Sequence, residues 1–410
     1  MGNVTHYLKE PLLLEKRGVT ISNRIMKSAM SEGMASRDHA PTDELIRLYE
    51  RWSEGGAGLI VTGNVMVTKD ALGEPGNVVL EDARHLDQFR RWASAGKRCG
   101  NEFWMQINHP GKQVVRGLVK EGHAPSAIPF PPKFQRFFAP SRALTTAGIH
   151  DLIHRFKMTA SLAKEAGFTG VQLHAAHGYL ISQFLSPRHN RRTDEWGGSI
   201  ENRSRFLKEI CRAVRAEVGE SFPIGVKINS ADFMKAGFTE EESKYVIKSL
   251  EELGVDHVEI SGGTYEKAVM TGKKGPASER EAYFLEYAEG LKKRTTIPIA
   301  VTGGFRTSEG MREALASGAT DMIGLARPLA VDPYIPHKLL EGELKDITTR
   351  SVRTGIPAVD KGGMMEIMWY SQQLDRLGRG KQTKPRFSPK LSLLLSLWKQ
   401  GMGVFQKRRV

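Results

Sequence analysis

Cysteine is almost missing from this chain: two copies, Cys99 and Cys211, in 410 residues. Two isolated thiols exclude a disulfide framework and any Cys-x-x-Cys metal or cluster spacing. Long apolar runs are missing too, since none approaches the ~18 residues that a membrane-spanning helix requires. The opening Met-Gly-Asn-Val-Thr-His lacks a basic stretch followed by an apolar one. No secretory leader is therefore expected, and the default compartment is reducing and cytoplasmic. Acid is missing in one place. From Arg376 to Val410 there are ten Lys or Arg and no Asp or Glu, and they account for all but four of the formal net charge of +14. The body is close to balanced. That argues against a nucleic-acid enzyme, in which the basic face belongs to the folded domain. A Gly-x-Gly-x-x-Gly turn after an early strand, which a doubly wound dinucleotide-binding sheet would carry, is absent as well.

What is present is alternation. Apolar residues make up 40% of the chain and glycine is frequent at 42 copies. Short, near-continuously apolar runs at Arg24–Met30, Leu59–Val67, Glu102–His109, Gly170–Ala176, Pro223–Ser230, His257–Gly263, Ile297–Gly304 and Met322–Ala330 read as strands covered on both faces. Amphipathic segments lie between them: Thr42–Glu54, His85–Lys97, Asp151–Glu165, Ile200–Val218, Glu240–Leu253, Glu281–Lys293, Ser308–Ala316 and Tyr334–Leu344. Several end on glycine, as helices commonly do. Eight such repeats predict an α/β fold, a closed TIM (β/α)8 barrel over residues 1–348. Leu8–Ser22 is expected to form an N-terminal hairpin closing its bottom. Pro110–Gly148 is a long insertion after strand 3, carrying Phe130-Pro-Pro-Lys-Phe-Gln-Arg-Phe-Phe138, and reads equally as a lid over substrate or as a packing loop. Residues 349–410 form a basic C-terminal extension. Its end, residues 386–410, is expected to dock on protein through Leu391–Trp398, with peripheral contact to an anionic membrane as the alternative.

Chemistry concentrates in Val171-Gln-Leu-His-Ala-Ala-His-Gly-Tyr179. A buried strand opens there into His174, His177 and Tyr179. Two imidazoles on a rigid strand end can aim N–H donors at one oxygen, and a phenol beside them can deliver a proton. A reductase of a carbonyl-conjugated double bond needs that grouping. The metal reading is weaker: catalytic zinc takes three protein ligands, and the only neighbour, His189, sits in a loop, so no metal is expected. Lys227, in Ile224-Gly-Val-Lys-Ile-Asn-Ser-Ala-Asp-Phe233, lies mid-strand in an apolar run and needs an anion, because unpaired burial of charge is costly. On its own it reads as the partner of an Asp or Glu at the barrel mouth; a Schiff-base aldolase would also use a lysine, but leaves the His-His-Tyr grouping unexplained. Gly303-Gly304 after the seventh strand and Arg327 after the eighth occupy the common phosphate site of this architecture.

The run continues through Asn190-Arg-Arg-Thr-Asp-Glu-Trp-Gly-Gly198 to Phe206. With the histidine pair, this segment resembles the signature of the Old Yellow Enzyme family, the FMN-dependent ene-reductases, and the likeness extends from about residue 5 to 340. The resemblance implies bound FMN, NADH or NADPH as hydride donor, and an enone or nitroalkene as small-molecule substrate. It places Ala29, Met30 and Ser31 at the flavin edge; Ala29 stands where proline is usual, and Ser31 where relatives carry a Thr or Cys that tunes the flavin. It sets the Gly63 backbone near the ring, Gln106 at the pyrimidine edge, and Lys227 near N1, where many relatives use arginine. Gly303, Gly304, Ala326 and Arg327 would hold the phosphate. His174 and His177 would bind the carbonyl or nitro oxygen, and Tyr179, protonated at neutral pH, would protonate the α-carbon. The rivals are a flavin-dependent dehydrogenase or demethylase of the same superfamily and a non-catalytic flavin-binding or membrane-scaffold protein. Cluster-bearing versions of the former need cysteines that this chain lacks. A homo-oligomer is left open. The Thr193–Arg203 block reads as structural, with Ser199 as a helix N-cap.

Overall fold

The computed structural model describes residues 6–264, 281, 282, 284–347, 350, 352–360 and 364–396. Eight strands run parallel: β1 (Ile25–Lys27), β2 (Leu59–Val61), β3 (Glu102–Asn108), β4 (Gly170–Ala175), β5 (Ile224–Asn229), β6 (His257–Ser261), β7 (Ile299–Thr302) and β8 (Met322–Leu325). Each pairs with the next, and β8 pairs with β1 through Ile323 opposite Ile25, so the sheet closes on itself. Helices α1 (Asp43–Glu54), α2 (Leu86–Gly96), α3 (Thr146–Glu165), α4 (Ile200–Val218), α5 (Glu240–Glu252), α6 (Leu285–Lys292), α7 (Ser308–Ala316) and α8 (Ile335–Leu340) follow the strands in turn. This is the closed TIM (β/α)8 barrel.

Local chemistry sets the ends of these elements. Thr42, Thr145, Ser199, Thr239 and Thr307 each accept a backbone N–H with the side chain at a helix start, which satisfies a donor the helix itself leaves open. Thr239 and Glu242 do so reciprocally. The Thr145 cap starts α3 five residues before Asp151, the expected start. Strands at the mouth are shorter than their apolar runs. Gly303 and Gly304, at φ 102° and 95°, turn the chain out of β7. A 3-10 turn, Arg327–Ala330, containing Pro328, ends β8. The single run Leu59–Val67 splits: after β2 the chain steps outward, and Val65–Met66 pairs with Ile107–Asn108 of β3 and with Val78–Val79.

The hairpin Leu12–Leu14/Val19–Ile21 lies across the barrel's lower end. Leu12, Leu14 and Ile21 pack there with Met26, Leu59, Val61, Trp104, Ala300 and Met322 in one buried apolar cluster. Trp104 fills this floor because glycines make room for it. A Cβ on Gly170 would lie 2.6 Å from its Nε1, and one on Gly225 2.9 Å from Cζ3. The insertion after β3 holds a two-stranded pairing, Gly122–Ala124 with Ser141–Ala143, and a short helix, Pro132–Gln135. Phe130 and Phe138 stack at 4.5 Å between ring centres.

The C-terminal extension folds back onto the barrel. Helix α9 (Met364–Gly378) buries Met365, Trp369, Leu374 and Leu377. Arg47 of α1 donates to Gly378 O, and Thr383 Oγ1 to Val331 O. A helical turn over 389–396 is held by Gln372 Nε2, which donates to Ser392 O and Ser396 Oγ, while Leu391, Leu394 and Leu395 remain exposed. The expectation for residues 397–410 falls outside the described residues. Among the described residues, no helix is long and apolar enough to cross a membrane.

Candidate active site

Above the apolar floor the barrel interior turns polar, two residues further along the same strands. Gln106 Nε2 donates to Gln172 Oε1 (2.7 Å), and Gln172 Nε2 donates to Glu259 Oε2 (2.9 Å). Glu259 Oε1 pairs with Lys227 Nζ at 2.9 Å and accepts from Thr302 Oγ1 at 2.7 Å. Thr302 Oγ1 lies 2.8 Å from Ser28 Oγ. These residues come from β3, β4, β5, β6 and β7 and, for Ser28, the position just after β1, and the links between β4 and β6 cross the interior, since those strands are not neighbours. Gly324 of β8 leaves the space open: a Cβ there would sit 2.0 Å from Thr302 Oγ1. Lys227 and Glu259 are 4% and 0% exposed. Burial pushes the Glu259 carboxyl up, but the Lys227 cation, with Thr302 and Gln172, holds it below the ordinary carboxylate range.

The end of β4 carries the aromatic group. The His174 ring lies 5.1 Å from that of His177 and 4.8 Å from that of Tyr179, both edge-on. His174 Nδ1 accepts the N–H of Ala176 at 3.2 Å, so its proton is on Nε2. His177 holds a left-handed φ of 61°, uncommon for a non-glycine residue. Two bonds fix it there: its N–H to Asn229 Oδ1 (3.1 Å), and its Nε2 to Ser261 Oγ (2.7 Å). Burial, then His177 and Lys227, keeps His174 well below the ordinary imidazole range. Burial likewise pushes His177 down to about 3. Both rings are therefore neutral N–H donors at physiological pH.

The remaining predicted residues surround this mouth. Ser31 Oγ donates to half-buried Glu74 and accepts from Asn64 Nδ2 at 3.2 Å. Its hydroxyl proton is thus taken inside the protein. Gly63 N–H donates to Tyr49 OH (2.9 Å) and Glu32 Oε1 (3.1 Å), and a Cβ at this position would meet Glu32 and Met30 O within 2.4 Å. The backbone carbonyl of Met30, which cannot swing away as the Glu32 side chain can, makes glycine necessary here. Ala29 borders the apolar floor and Met30 the main core, both half-buried. Thr302 of β7 sits opposite Gly324 of β8, which brings Gly303–Gly304 beside Ala326–Arg327. Arg327 Nη1 contacts Glu366 of α9 at 3.4 Å.

The residues present fit FMN on two observations. Gln106 turns its amide N–H into the network, which leaves its carbonyl Oε1 for a donor such as flavin N3–H. Consecutive glycines at positive φ, next to an arginine on the neighbouring strand end, suit a phosphate. Gln172, Glu259, Ser261 and Asn229 escaped the sequence reading. Their signal was alternation: His257-Val-Glu-Ile-Ser261 is polar at every second position of a strand. The Thr193–Arg203 block ties loops together. Arg203 donates to Leu185 O and pairs with Glu242, and Asn190 Nδ2 spans Phe184 O and Trp196 O.

Comparison with known proteins shows the family and the fold. The family described as NADH:flavin oxidoreductase / NADH oxidase matches residues 8–346. An NADH-dependent flavin oxidoreductase of Hypocrea jecorina is 38% identical over 355 residues, covering 80% of this chain and 88% of that protein. Among solved structures, an old yellow enzyme homologue from Zymomonas mobilis superposes with a TM-score of 0.72 at 26% identity, over 82% of this chain and 93% of that one. A 2-naphthoyl-CoA reductase in complex with 2-naphthoyl-CoA superposes with a TM-score of 0.79 at 28% identity, over 90% of this chain and 58% of that one.

Proposed function

Because this chain belongs to the NADH:flavin oxidoreductase / NADH oxidase family, and is an FMN-dependent oxidoreductase drawing on NADH or NADPH, we propose that its acceptor is an alkene conjugated to a carbonyl or nitro group. The observation that supports this reading is the cluster of His174, His177 and Tyr179 above the polar layer. When bound, FMN supplies the hydride that reaches the β-carbon of such an alkene. His174 offers Nε2–H to the acceptor oxygen. His177 offers Nδ1–H when the Ser261 hydroxyl donates to its Nε2. Two neutral donors polarise the alkene and stabilise the charge that develops on oxygen, an effect worth about 3 kcal/mol for one donor. Tyr179 passes its phenolic proton to the α-carbon. The polar residues beneath, Gln106 and Lys227, orient the ring system from its pyrimidine side.

The test is anaerobic. NADH and NADPH are each titrated into the yellow protein, and the bleached sample is challenged with 2-cyclohexenone and with 1-nitrocyclohexene. The yellow colour is expected to return with one alkene reduced per flavin. Bleaching followed by reoxidation with oxygen alone, and no saturated product, contradicts the acceptor assigned here.

A further inference from the structure

The resemblance sets Lys227 near the flavin's N1, and read on its own it calls for an acidic partner at the barrel mouth; the structure supplies that counter-charge in full. Glu259, directly across the β5–β6 ladder, lies 2.9 Å away and is completely buried. Both of its oxygens are engaged, by Lys227 and Thr302 on one side and by Gln172 on the other. The other members of the layer, Gln106, Gln172, Ser28 and Thr302, are neutral, so the layer carries no net charge. Lys27, another buried lysine, has its own partners. Its Nζ donates to Val61 O at 2.8 Å and packs over Trp52 at 4.1 Å, with the Glu32 carboxylate nearby. Buried ion pairs seldom gain stability over apolar side chains of equal volume. A pair retained at the chemical end of the barrel, above a floor that is largely apolar, therefore calls for a functional reason.

We propose that Glu259 sets the reduction potential of the flavin held at this site, by offsetting the charge of Lys227. This rests on the FMN reading above. Two-electron reduction leaves negative charge on the flavin's pyrimidine side, and a nearby cation stabilises it. A carboxylate hydrogen-bonded to that cation cancels much of the field. The flavin is held at a lower potential than Lys227 alone would give, and the reduced form passes its hydride on more readily. Glu259 is a positioning and tuning residue, since the structure shows it touching Lys227, Thr302 and Gln172.

Glu259→Gln keeps the shape and removes the charge. The FMN-loaded variant is expected to favour the reduced flavin about tenfold more than the natural chain, close to 30 mV for a two-electron couple. It should bind sulfite about tenfold tighter. Sulfite donates its own electron pair to form an S–N5 bond and leaves the negative charge on the flavin, so no oxidant is involved. Lys227→Gln should shift potential and sulfite affinity in the opposite direction, and Glu259→Asp should restore values near the natural ones. Opposite shifts from the two neutral variants distinguish tuning from a structural role, which would weaken FMN binding in both without moving the potential. Should Glu259→Gln not fold, the downward shift in Lys227→Gln and the neutrality of Glu259→Asp still decide. FMN-loaded variants with unchanged potential and sulfite affinity overturn this proposal alone. A natural chain that takes up no FMN overturns the cofactor reading and this proposal with it.

Discussion

Two layers of one barrel, built from the same strands and two residues apart, do opposite work. The lower layer packs Met26, Leu59, Trp104, Ala300 and Met322 under the hairpin. The upper layer links Ser28, Gln106, Gln172, Lys227, Glu259 and Thr302 by hydrogen bonds and one ion pair. Because side chains alternate along a strand, positions 104 and 106 share an interior face at successive depths. His257 marks the boundary. It is buried edge-on to Trp104, with both nitrogens lacking a partner among the described residues, and burial holds it neutral with a pKa of about 4. The lower layer can be apolar because the hairpin shields it from water. The upper layer must be satisfied polar group by polar group, since an unmet partner there costs about 1–3 kcal/mol. Stability and chemistry are thus separated along the barrel axis, not between domains.

That separation can be broken from either side. The largest effect belongs to the floor. Trp104→Ala should cost about 3–5 kcal/mol in denaturant unfolding, through lost burial and a residual cavity, and the folded fraction should keep a natural flavin spectrum. A stable variant with an altered spectrum would merge the two layers functionally. Next, His174→Ala should slow reoxidation of the reduced enzyme by 2-cyclohexenone about 10²–10³-fold, roughly 3–4 kcal/mol for one lost oxyanion donor, as read by stopped flow. A change below about threefold would remove His174 from the acceptor site. Ser261→Ala releases the Nε2 side of His177. It should slow the same step about fivefold, in line with about 1 kcal/mol for one hydrogen bond, and an unchanged rate would show that His177 holds its tautomer without it. The smallest effect is a null one. Both histidines titrate far below 6.5, so lowering the pH through 6.5 leaves them neutral and able to donate. The pH profile of kcat/KM for the alkene should therefore run flat through 6.5. A loss of one ionisation's worth of activity there would mean that at least one imidazole is more exposed to water than its packing implies.

Much of this was legible in the chain. Eight apolar runs gave eight strands, and Ser199 caps its helix as its position suggested. The glycines on which several of the amphipathic segments end, Gly100, Gly167, Gly219, Gly254 and Gly318, all adopt positive φ. The grouping of His174, His177 and Tyr179 could be read because all three sit within six residues of one strand end. Strand ends were less legible, since an apolar run does not say where the ladder stops and the chain turns out at Gly303 or Pro328. The partner of Lys227 was not legible as a particular residue: Glu259 is 32 positions away, and only the register of β5 against β6 brings them together. Ser31 shows the same limit. Its place at the flavin edge comes from the resemblance, whereas its hydrogen bond to Glu74, 43 positions away, depends on tertiary fit. The extension gave no periodic signal strong enough to place α9 against α1, because that contact depends on tertiary fit.

The most direct test of the central claim, that the upper layer and the glycine–arginine end together hold FMN, is a fluorescence titration of flavin-free protein with FMN. Quenching should reach its end point at one FMN per chain, and Gly304→Val, which puts a β-branched side chain at a φ of 95°, should weaken binding at least about tenfold. Free riboflavin, lacking the phosphate, should bind the natural chain and the variant with similar, weaker affinity. No saturable quenching by FMN, or equal affinity for FMN and riboflavin in the natural chain, would contradict the account.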